Sequence, residues 1–460
     1  MSGPGRAALY RMIWRWHFYA GLFVIPFILL LSVSGAAYLF KPQVERWEES
    51  GFRTAGAVTS VPPHRQVAAV LAASPGAFLD YRLPEKAGDP AMVRVASGGG
   101  AVREVFVGPD GAVRGMLDPE TRIMAWAKRV HGELLIGRVG NWLVELAASW
   151  AIVMILTGLY LWWPRGGGMA GVVWPRLRGG RRVFWRDLHA VTGFWVAGLA
   201  LVLLVTAMPW AGVWGAAFAE LRDQAGWVKG APQWEVNSNA AATDLHAHHM
   251  PAASSAQRPA SFDPVMLDRM VANAQRESLA FPAIVTPPGA PGRFGAQPDS
   301  EWSIRSDAQN RPLRVTVRYE AATGQEVSRD DFASSHAIDR AVGYGVAWHE
   351  GQLLGWVNQA IGVLTALALV ALAISGFVLW RRRKPAEGLG APPAHAMPAR
   401  MGGVAAILLI LALLLPMLAL SLVALVLFER LALPWLPRLA RWLGMPARHR
   451  GGWQGNHLPR

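Results

Sequence analysis

Residues 131–162 read HGELLIGRVGNWLVELAASWAIVMILTGLYLW: a histidine, a short turn, then an apolar run ending in tryptophan. The run 142–163 is long enough for a bilayer, whose core needs about 20 apolar residues as helix. The pattern returns near the other end of the chain. With His131 set on His349, Gly137 falls on Gly355, Gly158 on Gly376 and Trp162 on Trp380, without a gap. A second alignment sets His17 on His189. Gly21 then meets Gly193, Leu31 meets Leu203 and Ser34 meets Thr206. The chain reads as a tandem duplication of one unit: span, outer segment, span.

The rest of the 460 residues agrees with a membrane protein. The chain is 52% hydrophobic and 17% charged, against roughly 25% charged in a soluble domain. Its 22 tryptophans suit bilayer interfaces. Cysteine is absent. That excludes disulfides, thiolate nucleophiles, iron–sulfur clusters and covalent c-type haem. The net charge of +14 reads as topology and not as nucleic-acid binding.

Five spans are expected, at 13–40, 142–163, 188–210, 353–380 and 404–428. The first runs on past Ala36 without a cleavage site, so it is expected to be an uncleaved span and not a signal peptide. Three basic clusters share one side if the spans alternate: Arg6, Arg11 and Arg15 in the N-terminal stretch, whose first part is 1–12; Arg165, Arg176, Arg178, Arg181, Arg182 and Arg186 in the loop 164–187; and Arg381, Arg382, Arg383 and Lys384 in the loop 381–403. The positive-inside rule makes that side the cytoplasm. Segments 41–141 and 211–352 then lie outside. The tail 429–460 conflicts with this scheme, because it carries Arg430, Arg438, Arg441, Arg448 and Arg450. Either it lies along the interface as an amphipathic helix, or the apolar run with Pro416 in its middle does not cross. A fifth crossing is the reading adopted.

The two outer segments follow one order. The first gives a helix from His64 to Ala73, strands at 78–83, 92–96 and 102–107, the turn Gly108-Pro109-Asp110-Gly111 and a last short strand. The second gives a helix at 263–276, strands at 280–286, 301–305 and 313–319, a turn at Ala322-Thr323-Gly324 and a last strand. Each reads as a small α+β domain. A polar linker before the second domain holds Asp244, His246, His248 and His249.

Depth assigns partners to the repeated histidines. His17 and His189 begin spans that run outward, so both belong to the cytoplasmic end. His131 and His349 precede spans that run inward, so both belong to the outer face. Imidazole is a common axial ligand of haem, and bundle cofactors are held by side chains on facing helices. Without cysteine, the group such a pair would hold is a noncovalent b-type haem. Pairing within one repeat would put the two ligands at opposite faces, too far apart. Repeated glycines let a backbone or a flat macrocycle approach. Arg15, Arg186 and Arg129 stand near the histidines and are candidates for haem propionates. Taken singly, a histidine at a helix end is an interfacial polar residue, a glycine in a span is helix packing and an arginine is a topology signal. The symmetry of two pairs favours function.

Several runs also resemble the PepSY-associated transmembrane family: Trp16-His17-Phe18-Tyr19-Ala20-Gly21-Leu22-Phe23 with Pro26, Arg186-Asp187-Leu188-His189-Ala190-Val191-Thr192-Gly193, His131-Gly132-Glu133-Leu134-Leu135 with Gly137, and Thr157-Gly158-Leu159-Tyr160-Leu161-Trp162. The resemblance covers about 10–385. It implies a mainly α-helical membrane fold in which each repeat carries a PepSY-like α+β domain. Four helices would form a haem-binding bundle, with a fifth C-terminal span added. It implies two b-type haems ligated by His17, His131, His189 and His349. It implies a bacterial inner-membrane oxidoreductase that reduces ferric siderophores in the periplasm for iron uptake. The cytoplasmic loops are too short for a nucleotide-binding fold and no G-x-G-x-x-G pattern follows a strand. The electron donor is therefore expected to be quinol, a flavin or a separate reductase. Two other classes of function compete. One is a membrane-anchored PepSY binding or regulatory module without redox activity. The other is metal binding by His246, His248 and His249, whose bland alternative is a polar loop.

Overall fold

Backbone amides have no water to bind in a bilayer, so apolar runs of this length close their hydrogen bonds internally as helices. The computed structural model describes residues 3–56, 59–98, 101–163, 169–176, 178–227, 263–290, 300–392 and 401–445. Five helical stretches among them are long and apolar enough to cross a membrane: Ala7–Tyr38, Gly137–Trp162, Gly180–Trp210, Trp356–Arg383 and Pro416–Trp435. The first four contain the long helices α1 (Gly3–Tyr38), α5 (Gly137–Trp162), α6 (Gly180–Ala207) and α10 (Trp356–Arg383). The chain divides into two units, and the boundaries fall inside these four helices.

The first unit holds Met1–Ser32, Trp142–Leu204 and Thr365–Arg460. Small and β-branched residues fill its interior: Ala147, Ala151 and Val153 on α5, Val196, Ala197 and Ala200 on α6, and Ala373 on α10. Such residues let helix backbones approach where lipid removes the hydrophobic drive for association. Trp162 stacks on Phe194 with ring centres 4.1 Å apart. The expected single fifth span is two helices here. α11 (Gly402–Leu414) stops at Leu415, and α12 (Pro416–Leu427) starts with proline at its first position. The ring of Pro416 and its missing N–H break the run where hydropathy alone continues.

The second unit holds Val33–Asn141 and Val205–Leu364. The two outer segments contribute β1 (Ala77–Arg82), β2 (Ala91–Ala96), β3 (Val102–Val107) and β4 (Val113–Leu117), then β5 (Ala283–Thr286), β6 (Trp302–Ser306), β7 (Val315–Tyr319) and β8 (Glu326–Asp331). The two segments, each expected to be a small α+β domain, join through their strands. All eight strands form one antiparallel sheet in the order β4-β3-β2-β1-β5-β6-β7-β8. The halves join where Tyr81 pairs with Val285 and Arg82 with Ile284. Left apart, β1 and β5 would each expose an unpaired edge.

One face of the sheet is apolar. Helices α3 (Pro63–Ala73) and α8 (Pro264–Arg276) cover it, and Val67, Val70, Val93, Val105, Leu267, Met270, Val285, Trp302 and Ile304 share one buried cluster. The other face alternates to charge. Arg94 and Arg305 meet Asp80. Arg122 spans Glu48, Glu49 and Glu104, and Arg82 pairs Glu49. Burial pushes the Glu104 carboxyl up against the opposing pull of Arg122. Burial also pushes on Glu49, but Arg82 and Arg122 outweigh it and hold that carboxyl below its ordinary value.

Candidate functional site

The four histidines meet in the two pairs that depth suggested, one pair in each unit. In the first unit His17 on α1 faces His189 on α6, with ring centres 6.5 Å apart and planes at 83°. In the second, His131 and His349 stand 6.3 Å apart at 71°. His131 lies in the last turn of α4 (Ile123–Glu133), and His349 ends α9 (Ala337–His349). Leu134 and Leu135 after His131 both take left-handed backbone angles. That conformation costs L-residues about 1–2 kcal/mol each, and such strain gathers where geometry is functional.

Each ring is held from behind by a hydroxyl. His17 Nδ1 is 2.9 Å from Thr157 Oγ1. That hydroxyl donates its proton to the Val153 carbonyl at 2.7 Å, so it accepts from the imidazole. His189 Nδ1 lies 3.1 Å from the Leu372 carbonyl and 3.2 Å from Ser375 Oγ. A carbonyl only accepts, so Nδ1 carries the proton here too. This network assigns the Nδ1–H tautomer to both rings and leaves Nε2 with the free lone pair. In the second unit Ser34 Oγ sits 3.1 Å from His131 Nδ1, and Thr206 Oγ1 sits 3.2 Å from His349 Nδ1.

Spacing tests what a pair could hold. With metal–nitrogen bonds of about 2 Å and about 1.2 Å from nitrogen to ring centre, two axial imidazoles stand about 6.4 Å apart. Both pairs match. Among the described residues no cluster of three or more His, Asp or Glu side chains could hold a metal ion. Each pair by itself offers two imidazoles. His246, His248 and His249 lie outside the described residues.

The repeated glycines divide by purpose. A Cβ on Gly158 would come within 3.2 Å of His17 Cε1, and one on Gly376 within 3.2 Å of His189 Cε1. Those two make room for the imidazoles and not for a backbone. Gly137 and Gly355 instead take positive φ angles, 61° and 57°, at the turns entering α5 and α10.

The three arginines near the histidines have protein partners. Arg15 donates to the carbonyls of Pro392 and Gly444 at 2.8 and 2.9 Å. Arg186 pairs with Asp187, which is fully buried and also takes Arg176. Arg129 pairs with Glu120 and lies over the Trp126 ring. The expectation that they bind propionates gains no support from these contacts. Sequence reasoning did not single out two neighbours. Arg383 lies over the rings of Trp14 and Phe18, either side of His17 on α1. Lys128, three residues before His131, is drawn below its ordinary value by burial, with Glu133 and Glu350 opposing. Thr157 and Ser375 also went unassigned, although the alignment of His131 on His349 superposes their hydroxyls.

The family model described as PepSY-associated TM region matches residues 14–383. The chain belongs to this family. All four histidines of this PepSY-associated TM protein lie inside the match, and α11 and α12 lie beyond it. No curated protein matches the chain. The five apolar helices agree with a multi-pass membrane protein.

Proposed function

We propose that this PepSY-associated TM protein is a bacterial inner-membrane oxidoreductase. It would bind two b-type haems and pass electrons from the cytoplasmic side to a periplasmic ferric siderophore. The observation that carries the reading is the pair of bis-histidine sites, 6.5 and 6.3 Å between ring centres, each imidazole backed by a hydroxyl. His17 and His189 would ligate one haem, and His131 and His349 the other. Bound haem supplies one-electron chemistry. The chain's own residues do the rest. Thr157, Ser375, Ser34 and Thr206 orient the four rings, Gly158 and Gly376 leave them space, and the apolar spans exclude water. Reduction weakens the hold of a hard-oxygen chelate on iron, so the product would be released metal. The donor would be quinol, a flavin or a separate reductase.

A reduced-minus-oxidised spectrum of detergent-purified protein, with a pyridine haemochrome count, tests this. Two b-type haems per chain are expected. His131→Ala should remove one haem and leave the other; retention of both would sink the assignment of that pair. A cleft of about 280 Å³ between α3 and α8 favours the second reading, a membrane-anchored binding module. Gln66, Tyr81, Asp268 and Gln275 line it. Haem-free protein, expressed with ample haem supply, would make that module the better account.

A further inference from the structure

The break between α11 and α12 and the contacts of the tail point to one topology. α13 (Pro437–Trp442) and the residues after it pack at the end of α1 that carries Arg15. Arg15 donates to Gly444 and Pro392, Tyr19 donates its hydroxyl proton to the Leu443 carbonyl, and Leu389 N–H donates to Trp442. A Cβ on Gly444 would lie 3.5 Å from that of Ala391. The tail thus rests against the segment that follows Arg381–Arg383. Trp150 on α5 donates to Ser421 on α12 at 3.1 Å. Trp150 is twelve residues before Trp162, and Ser421 is twelve before Leu433. Both distances are about 18 Å of helix, so Ser421 lies at the depth of Trp150, and α12, which begins five residues earlier, runs down to the same end.

α11 cannot continue that line upward. A straight 402–432 helix would put Gly402 about 46 Å from its foot. Nine peptide steps separate Pro392 from Met401, a reach of at most about 32 Å, too short to arrive at that height. Nor can α11 cross alone, since its thirteen residues give about 20 Å against a core of about 30 Å. On the α12 side of the break Leu415 is 6% and Leu418 0% exposed, whereas Leu413 and Leu414 at the end of α11 are exposed. Non-helical backbone at membrane depth is tolerated where protein surrounds it.

We infer that residues 402–435 form a re-entrant helical hairpin with its apex at Leu415–Pro416. It returns the basic tail to the side of Arg15 and Arg381–Arg383, where Leu443 and Gly444 strap α1 on both sides of His17. The hairpin does not depend on haem. It also removes the charge conflict, because Arg430, Arg438 and Arg441 join the other basic clusters on the cytoplasmic side.

The chain has no cysteine, so single cysteines report sidedness without interference. Ala386→Cys, Arg438→Cys and Ser334→Cys would be probed with a membrane-impermeant maleimide in right-side-out and in inverted vesicles. Arg438→Cys should react in the vesicles where Ala386→Cys reacts, and Ser334→Cys in the opposite ones. Labelling of Arg438→Cys together with Ser334→Cys would overturn the hairpin. So would protection of Arg438→Cys in both vesicle types until detergent is added.

Discussion

Thr157 shows how one hydroxyl can decide a tautomer. Its proton goes to Val153, its lone pair accepts the hydrogen bond from His17 Nδ1–H, and the imidazole is thereby committed to the tautomer with a free lone pair on Nε2. Thr157→Val keeps the shape and removes the acceptor. On the haem reading proposed above, the variant should hold haem at the His17–His189 pair about 10-fold more weakly, the lower end of such outer-shell effects, while Thr157→Ser retains it. Haem content after dialysis against apomyoglobin measures the difference. Equal retention by Thr157→Val and the parent would mean that the hydroxyl is incidental. Glu49 decides something different, the charge balance behind the sheet. Its folded pKa lies below its ordinary value because Arg82 and Arg122 stabilise the carboxylate. Its contribution is therefore full above the unfolded pKa, about 4.3, and is lost as pH falls through the depressed folded value. Glu49→Gln should cost about 3 kcal/mol near neutrality by leaving buried guanidiniums short of a partner. The cost should shrink towards pH 3, as followed by thermal melting. A cost independent of pH would reject the ion-pair account.

At the scale of elements, periodicity and apolar length carry most of the information. The four spans that bear or adjoin the histidines were legible because long apolar runs have one solution in lipid. Their ends were less so. α6 starts at Gly180, eight residues before the expected span, because Asp187 is buried between Arg176 and Arg186 and extends the helix beyond the apolar core. The fifth apolar run hides its break for a related reason. Hydropathy counts side chains, and both α11 and α12 are apolar, but Pro416 acts on the backbone. The strands of both outer segments were readable from alternation and from turns such as Gly108-Pro109-Asp110-Gly111. Their pairing across segments was not, because alternation says which face is buried and never which strand lies alongside.

For the molecule as a whole, the joined sheet makes the second unit a single cooperative body. Val285 sits at the seam, opposite Tyr81, and is fully buried. Val285→Asp places an unpaired charge in the shared cluster. Hydrogen exchange should then show β1–β4 and β5–β8 losing protection together. Loss confined to β5–β8 would mean that the halves fold independently despite the shared strand pair.

The sequence alone determined the membrane class and placed the four histidines at the ends of their spans. Those follow from hydropathy, turn chemistry and spacing, which are properties of local chain. Tertiary structure alone decided that two outer segments share one sheet, that a hydroxyl stands behind each of the four paired imidazoles, that Gly158 and Gly376 serve the rings, and that Arg15 holds the tail. Each of these brings together residues far apart in the chain. Such meetings depend on which surfaces exclude lipid or water together, and no stretch of residues carries that by itself.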